Sequence, residues 1–113
     1  MSRLVRLLSV VSLVVLLIGS AQAAHRIALQ GNGKLAIVET NGQIKWQMKW
    51  GGIHDIHVLK NGHIMVQQGS RKVVEIDPKT KKVVWSYDSG TANGNAGKRI
   101  EVHAFQPLAN GRI

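Results

Sequence analysis

Alternating hydrophobic and polar residues dominate the chain after its first two dozen residues, and no later stretch has a sustained helical period. The clearest alternation covers residues 43–50, where isoleucine, methionine and two tryptophans alternate with glutamine and lysine. A second alternation covers residues 82–87. A period of two is typical of a β-strand with one buried face. The pattern therefore predicts an all-β fold.

Turn signals separate the predicted strands. Most of them are Asn-Gly dipeptides, which favour type I′ hairpin turns because both central residues need a positive φ. Residues 77–80 form a further signal, in which Pro78 pre-sets the φ of a type I turn. Turns this close together predict an antiparallel meander. The dipeptides are Asn32-Gly33, Asn41-Gly42, Asn61-Gly62 and Asn110-Gly111.

The chain also repeats itself. Residues 53–64 align without gaps on residues 102–113, with the same His, Leu, Asn, Gly and final Ile in both segments. A second echo matches residues 43–46 with residues 82–85. The two echoes have different spacings because of the Gly-, Asn- and Ser-rich stretch 88–98, which we interpret as a flexible loop inserted between repeated strands.

A repeat of this length that contains four short strands is typical of a blade of a β-propeller. We predict a partial β-propeller of about two four-stranded antiparallel blades, of which one is complete. The strands of the complete blade are predicted near residues 53–59, 63–68, 72–77 and 82–87.

The predicted complete blade has a partial blade on either side. Residues 27–50 are the later part of the preceding blade, and residues 100–113 begin the following one. Because propellers typically have four to eight blades, we expect the remaining blades to be missing from this chain. We therefore interpret residues 24–113 as a propeller domain truncated at its C-terminus. The alternative is a complete chain that assembles with copies of itself.

Residues 1–23 predict a helical secretory signal peptide. A basic start with Arg3 and Arg6 precedes an apolar run from residue 7 to residue 18, and Ala-Gln-Ala at residues 21–23 is a small-x-small cleavage site. An uncleaved anchor is the alternative, and it is the only route by which we expect membrane binding. The rest of the chain is then expected outside the cytoplasm, either periplasmic or secreted.

Composition excludes several classes of function. The chain has no cysteine, which excludes disulfides, thiolate zinc sites and cysteine catalysis. Its net charge of +9 favours acidic partners, and we expect an anionic small molecule or an extracytoplasmic protein. Nucleic acid is not expected, because aromatic residues make up only 4% of the chain and export separates it from nucleic acid. The basic residues of turns and solvent-facing strand positions are expected to be a solvated surface; they are Lys72, Lys79, Lys81, Lys82, Lys98 and Arg99.

The stretch 75–85 resembles the tryptophan-docking repeat of quinoprotein-type propellers. Four residues match that repeat, namely Asp77, Thr80, Lys82 and Trp85. Glu75 and Lys81 depart from its usual Ala and Gly. The resemblance implies a blade-docking role for the matching residues. Trp46 occupies the repeat position of Trp85, and we expect both indoles to pack between blades and to need a partner for the N–H group.

Residues 54–62 resemble the His-Asp-x-x-x-Leu-x-Asn-Gly segment of arylsulfotransferase-like and related secreted PQQ-like repeat proteins. His54 and His103 hold equivalent positions at the start of the strand that lines a propeller channel. We expect both imidazoles near the axis on one face, able to bind an anion or a metal or to act in proton or group transfer. The resemblance to arylsulfotransferases implies that they are candidate catalytic residues. The alternative is that each ring caps its strand through a hydrogen bond to the backbone.

Asp55 joins the two histidines as a candidate ligand-binding residue. We expect it either to orient His54 or to accept backbone N–H groups at the turn. No metal site is predicted, because His54 and His57 would point to opposite faces of a strand. His63 follows a turn and is expected to be exposed.

Three functions stay open at this point. The first is a non-catalytic exported scaffold that binds a ligand or a partner protein. The second is an enzyme that transfers a sulfuryl group through a channel histidine, as the arylsulfotransferase resemblance implies. The third is a dehydrogenase that uses PQQ and calcium, which only the docking-like motif supports. The sequence names no cofactor.

Overall fold

The computed structural model describes residues 25–52 and 54–113, so the predicted signal peptide lies outside the described residues. The described residues form two antiparallel sheets and one short 3-10 helix, Ala92–Gly94. The predicted all-β class and its interpretation as partial propeller blades are confirmed. Over these two ranges, no helix has the length and apolar character needed to cross a membrane.

The first sheet, called blade 1, has three strands in the order β1-β2-β3. They are β1 (Ile27–Gly31), β2 (Lys34–Val38) and β3 (Ile44–Lys49). All three lie within the stretch 27–50 that the alternating pattern assigned to a partial blade.

The second sheet, called blade 2, has four strands in the order β4-β5-β6-β7. They are β4 (Ile56–Val58), β5 (Ile64–Gln68), β6 (Lys72–Asp77) and β7 (Lys82–Asp88). Each lies at its predicted place, although β4 is shorter than the predicted 53–59. Residues 100–113 contain no strand.

The Asn-Gly turns are of two kinds. Asn32 and Gly33 both have a positive φ, as a type I′ turn requires. The type I′ prediction is wrong at the other three dipeptides, where only the glycine has a positive φ. There the pairs 39/43, 59/63 and 108/112 close three-residue loops, in which a type I turn is followed by a left-handed glycine. In each loop the Asn side chain also accepts the N–H two residues on.

The two blades have the same irregularity. The register between β2 and β3 shifts at Ile37/Val38, and the register between β6 and β7 shifts at Glu75/Ile76. A bulge turns side chains to a different face of the sheet. Trp46 and Trp85 occupy equivalent positions relative to this shift: each lies one step before it, on the outermost strand of its blade.

The hydrophobic core lies between the blades. Leu35 of blade 1 packs against four residues of β5 and β6 that have no exposed surface: Ile64, Val66, Val74 and Ile76. Trp46, Met48 and Trp50 cover the edge of this cluster. The blades are therefore stacked face to face, and each keeps one outer face.

The loop after β7 is better ordered than the expected flexible loop. Asp88 accepts the N–H of Gly90 at 2.9 Å, and the Asn95 side chain donates to the Ser89 carbonyl at 3.0 Å. A Cβ at residue 90 would lie 2.8 Å from the Arg71 guanidinium, so a larger residue at this position would displace the Arg71 side chain. The loop lies at the end of blade 2 where β4 begins.

Candidate functional site

The structure brings His54 and His103 together. Their ring centroids lie 5.2 Å apart, with a tilt of 55° between the planes. Both residues are exposed. The two rings border a cleft of about 280 Å³, to which Ser70 and Glu101 also contribute. Two repeats that share no strand pairing thus place equivalent side chains next to each other.

Gln67 holds the two histidine segments in place. Its side chain is 1% exposed, and its Oε1 accepts the N–H groups of His54 at 2.7 Å and Asp55 at 3.0 Å. Its Nε2 donates to the carbonyl of Val102. A buried amide with all these partners is rigid, because losing any of them would leave a polar group without a hydrogen bond.

The sequence analysis did not single out Gln67. It ends the run Ile64-Met65-Val66, which is buried on both faces of β5. The available signal was a polar residue that continues an apolar strand. Such a residue needs side-chain partners when it is buried.

The segment before His103 is tied to the same region. The Val102 N–H donates to the Ser70 carbonyl at 2.8 Å. Ser89 is 4% exposed, and its hydroxyl donates to the Arg71 carbonyl at 2.9 Å and lies 3.3 Å from the Ile100 carbonyl. Ser89 was also missed by the sequence analysis.

Asp55 does not orient His54, so that alternative is wrong. One carboxylate oxygen accepts the N–H of Ile56 at 3.0 Å, and the other accepts the N–H of Phe105 at 3.1 Å. The alternative that Asp55 accepts backbone N–H groups describes these contacts. Because Phe105 belongs to the next repeat, Asp55 also links the two repeats.

His57, and not His54, makes the hydrogen bond from ring to backbone. Its Nε2 lies 2.8 Å from the Phe105 carbonyl and 3.2 Å from the Asp55 carboxylate. Both neighbours are acceptors, so Nε2 carries the proton. The ring also packs on the side chain of Phe105, with centroids 5.0 Å apart. Among the described residues, neither the His54 ring nor the His103 ring makes a hydrogen bond to the backbone, so the alternative that these rings cap their strands is wrong.

Two carboxyl groups of this region have lowered pKa values. Burial raises the pKa of Asp55, but the hydrogen bonds from Phe105 and His57 outweigh burial and bring the pKa below its ordinary value of 3.8. The hydrogen bonds from Arg99 lower the pKa of Glu101, and His103 contributes in the same direction. Glu101 therefore stays ionised beside the His103 ring, whose Nε2 is 3.5 Å away.

None of the three tryptophans lines this cleft. The Trp46 Nε1 donates to the carbonyl of Pro78 at 2.7 Å, and the Trp50 Nε1 donates to the carbonyl of Gln67 at 2.9 Å. Both are contacts from blade 1 to blade 2. Trp85 is 40% exposed on the outer face of blade 2.

The turn whose carbonyl accepts the Trp46 hydrogen bond lies within the docking-like motif, residues 75–85. Asp77 accepts the N–H of Lys79 through its side chain and that of Lys81 through its carbonyl. Lys81 has a φ of 58°, at the position where the resembled repeat has glycine. Its ammonium lies 5.9 Å from the Trp46 ring centroid. Thr80 and Lys82 are exposed.

The structure corrects the predicted exposure of His63. It was expected to be exposed, yet its side chain is only 27% exposed, and its Nδ1 lies 2.7 Å from the Glu75 carboxylate. Its Nε2 lies 4.0 Å from Asp77. The antiparallel pairing of β5 with β6 brings these groups together, which a local reading of the turn did not anticipate.

Metal ligands do not converge in the part of the chain that the structure describes. Across residues 25–52 and 54–113, no three His, Asp or Glu side chains form a group that could hold a metal ion. The basic residues predicted to be a solvated surface are all exposed; they are Lys72, Lys79, Lys81, Lys82, Lys98 and Arg99.

Comparison with known protein families gives a match over most of the chain. The model of the PQQ_2 family, described as outer membrane protein assembly factor BamB, matches residues 31–112. No curated protein and no solved structure matches the chain. The matched range includes β2, β3, the whole of blade 2, the paired histidines and most of the segment after β7.

Proposed function

The chain belongs to the PQQ_2 family of propeller repeat proteins, and we propose that it is an exported scaffold that binds a ligand or a partner protein outside the cytoplasm. The observation that carries the proposal is the cleft between His54 and His103, which two successive repeats build together. The family model is named after an assembly factor, which supports a binding role.

The surroundings of the two rings favour binding over catalysis. Within the described residues, the His54 ring has no carboxylate neighbour of the kind that would orient a catalytic base. Asp55 is committed to the Phe105 backbone and to His57. Glu101 lies 3.5 Å from the His103 ring and is already paired with Arg99. Two exposed imidazoles suit a polar or acidic surface, to which each can donate or accept a hydrogen bond.

Ordered segments of blade 2 surround the cleft. The ordered loop 88–99 and the turn at residues 69–71 flank it, and Arg71 pairs with Asp88 at 3.5 Å. Binding residues are commonly found on loops that a rigid scaffold positions. The net charge of +9 favours an acidic partner.

Site-specific photo-cross-linking in the exporting host tests this proposal. A photoreactive side chain at Ala96, in the exposed loop beside the cleft, is expected to give a defined adduct with an envelope protein or ligand. The same probe at Asn61, on the opposite end of blade 2, is the matched control. Equal adduct yields from Ala96 and Asn61, or no adduct from either position, would contradict a binding surface at the cleft end of blade 2.

The adjacency of the histidines also favours a second candidate, sulfuryl transfer through a channel histidine. An assay with a phenolic sulfate donor and a phenol acceptor tests it, with His54→Gln and His103→Gln as variants and His63→Gln as control. Turnover that either cleft variant abolishes, and that the control keeps, supports transfer. Absent turnover, or turnover unchanged in both variants, rejects it for these residues.

A PQQ-dependent dehydrogenase is the third candidate, and the described residues do not fit it. Calcium in such a site takes oxygen ligands from several side chains. The described ranges contain no group of three His, Asp or Glu side chains that could hold a metal.

A further inference from the structure

The chain contains five Asn-Gly dipeptides, and the structure holds them in different ways. Asn-Gly is the dipeptide at which asparagine most readily loses its amide group, because glycine has no side chain to shield its backbone nitrogen. The five dipeptides are alike at the reacting atoms, so a difference in their reactivity in the folded chain must come from the structure. They are Asn32-Gly33, Asn41-Gly42, Asn61-Gly62, Asn93-Gly94 and Asn110-Gly111.

Three of the dipeptides are held at both reacting groups. In the loop that contains Asn41, the Gly42 N–H donates to the Glu39 carbonyl at 2.9 Å, and the Asn41 Oδ1 accepts the N–H two residues on at 3.0 Å. The other two three-residue loops, 59–63 and 108–112, make the same two contacts. Attack of the glycine nitrogen on the asparagine side chain would break both hydrogen bonds, so these loops protect their asparagines.

Asn93 is held through its side chain alone. Its Nδ2 donates to the Tyr87 hydroxyl at 3.1 Å, within the ordered loop after β7. This amide nitrogen is the group that leaves during deamidation, and the side chain must rotate before the Gly94 nitrogen can reach its carbon. The contact with Tyr87 opposes that rotation, so Asn93 is protected to a smaller degree.

Asn32 has neither kind of restraint. Asn32 and Gly33 are both exposed, and they form the two-residue turn at the end of the β1–β2 hairpin, away from the faces of the sheet. Among the residues that the structure describes, neither the Asn32 side chain nor the Gly33 N–H makes a hydrogen bond. A Cβ placed at Gly33 would meet no atom within 4 Å. Water therefore reaches both reacting groups.

We propose that Asn32 is a site of spontaneous deamidation, which the folded chain converts to aspartate or isoaspartate before any of its other four Asn-Gly asparagines. Hydroxide removes the Gly33 N–H proton as the peptide between Asn32 and Gly33 rotates out of its turn conformation. The Gly33 nitrogen then forms a bond to the Asn32 Cγ, and the bond from Cγ to Nδ2 breaks. Nδ2 takes a proton from water and leaves as ammonia, which leaves a cyclic succinimide.

Hydrolysis of the succinimide gives two products that differ in their effect on the turn. Water opens the ring at one carbonyl to give aspartate and at the other to give isoaspartate. Aspartate tolerates the φ of 51° at residue 32, so it adds a negative charge and keeps the turn. Isoaspartate adds one backbone atom to a loop whose register depends on the pairing of Gly31 with Lys34, so it should loosen the β1–β2 hairpin. The proposal is independent of whether the histidine cleft binds a partner.

Peptide mapping by mass spectrometry tests the proposal. The full chain in mild detergent is incubated at mildly alkaline pH, digested at intervals and scored at each Asn-Gly dipeptide for conversion of amide to acid. In the folded chain, Asn32 is expected to convert at least roughly ten-fold faster than the asparagines of the three-residue loops, since two hydrogen bonds protect each of those. The same chain unfolded in concentrated urea is the matched control, in which all five dipeptides should convert at comparable rates.

A substitution sharpens the comparison between the held and the unrestrained dipeptides. Tyr87→Phe removes the hydroxyl that holds Asn93 and keeps the aromatic ring, so it should speed the conversion of Asn93 and leave that of Asn32 unchanged. Circular dichroism checks that both chains stay folded during the incubation. An Asn32 that is still intact when any of the other four asparagines has converted would overturn the proposal, as would five equal rates without urea.

Discussion

Trp46 and Trp85 occupy the same position of two successive blades, yet their surroundings differ. Trp46 lies between the blades and donates its indole N–H to Pro78, while Trp85 is 40% exposed. The first strands show the same contrast. Residues 56–58 pair with β5, and their repeat equivalents 105–107 form no strand. The sequence pattern of a blade is thus insufficient for its structure, because a strand needs a partner and an indole needs a neighbouring blade.

The largest expected effect separates the two tryptophans. Trp46→Ala should lower the free energy of unfolding by about 3 kcal/mol, because it removes a packed aromatic side chain and leaves the Pro78 carbonyl without its donor. Trp85→Ala should cost less than about 1 kcal/mol, since the side chain is 40% exposed. Urea unfolding of the two variants and of the unchanged chain measures both. Equal losses would contradict the contrast between the two repeats.

Gln67 joins the two repeats, and its replacement should have the next largest effect. Gln67→Leu leaves the N–H groups of His54 and Asp55 and the Val102 carbonyl without side-chain partners. We expect a loss of about 2 kcal/mol in the free energy of unfolding. Gln68→Leu is the control, because Gln68 is exposed. A similar loss of unfolding free energy in Gln68→Leu would contradict the claim that the hydrogen bonds of Gln67 join the two repeats.

The contribution of Asp55 to the free energy of unfolding should depend on pH. Its pKa in the folded chain lies below its ordinary value of 3.8, so the carboxylate stabilises the fold above that value and loses this effect as the pH falls through the folded pKa. Asp55→Ala should cost about 1 kcal/mol at neutral pH through its lost hydrogen bonds. The difference from the unchanged chain should shrink below about pH 4. Unfolding curves across this range measure it, and a difference that grows toward acid would contradict the assignment.

Lys81 should give the smallest effect. Its φ of 58° is unfavourable for any residue other than glycine, Asn or Asp, but its ammonium lies over the Trp46 ring. Lys81→Gly relieves the strain and loses the cation–π contact, so the stability should change by less than about 0.5 kcal/mol. Lys81→Ala keeps the strain and should lose about 0.5–1 kcal/mol. If Lys81→Ala is at least as stable as Lys81→Gly, the positive φ causes no strain, and if Lys81→Ala is as stable as the unchanged chain, the ring contact contributes nothing.

Local patterns were sufficient for the elements of the fold. Period-two alternation and Asn-Gly turns located β3 and the four strands of blade 2 to within a few residues, and placed β1 and β2 inside the stretch 27–50, because both signals depend on neighbouring positions. These signals failed for contacts that depend on the tertiary structure. The pairing of His63 with Glu75 depends on the register of β5 against β6, and the turns at residues 39–43, 59–63 and 108–112 depend on which residues close the hairpin.

The candidate site was only partly accessible from the sequence. The repeat alignment singled out His54 and His103, and the structure places their rings 5.2 Å apart. The alignment could not reveal Gln67, which lies in β5 and reaches both histidine segments from a third place in the chain. Likewise, the bond between Asp55 and Phe105 joins residues whose proximity follows from the blade geometry alone.

Contact between the two imidazoles tests most directly the claim that successive repeats lie side by side. In a nuclear Overhauser spectrum of the full chain, the ring protons of His54 and His103 are expected to show a cross-peak, assigned by its loss in His54→Gln and in His103→Gln. The ring separation of 5.2 Å is within the reach of this effect. Assigned ring signals with no cross-peak between them would contradict the account.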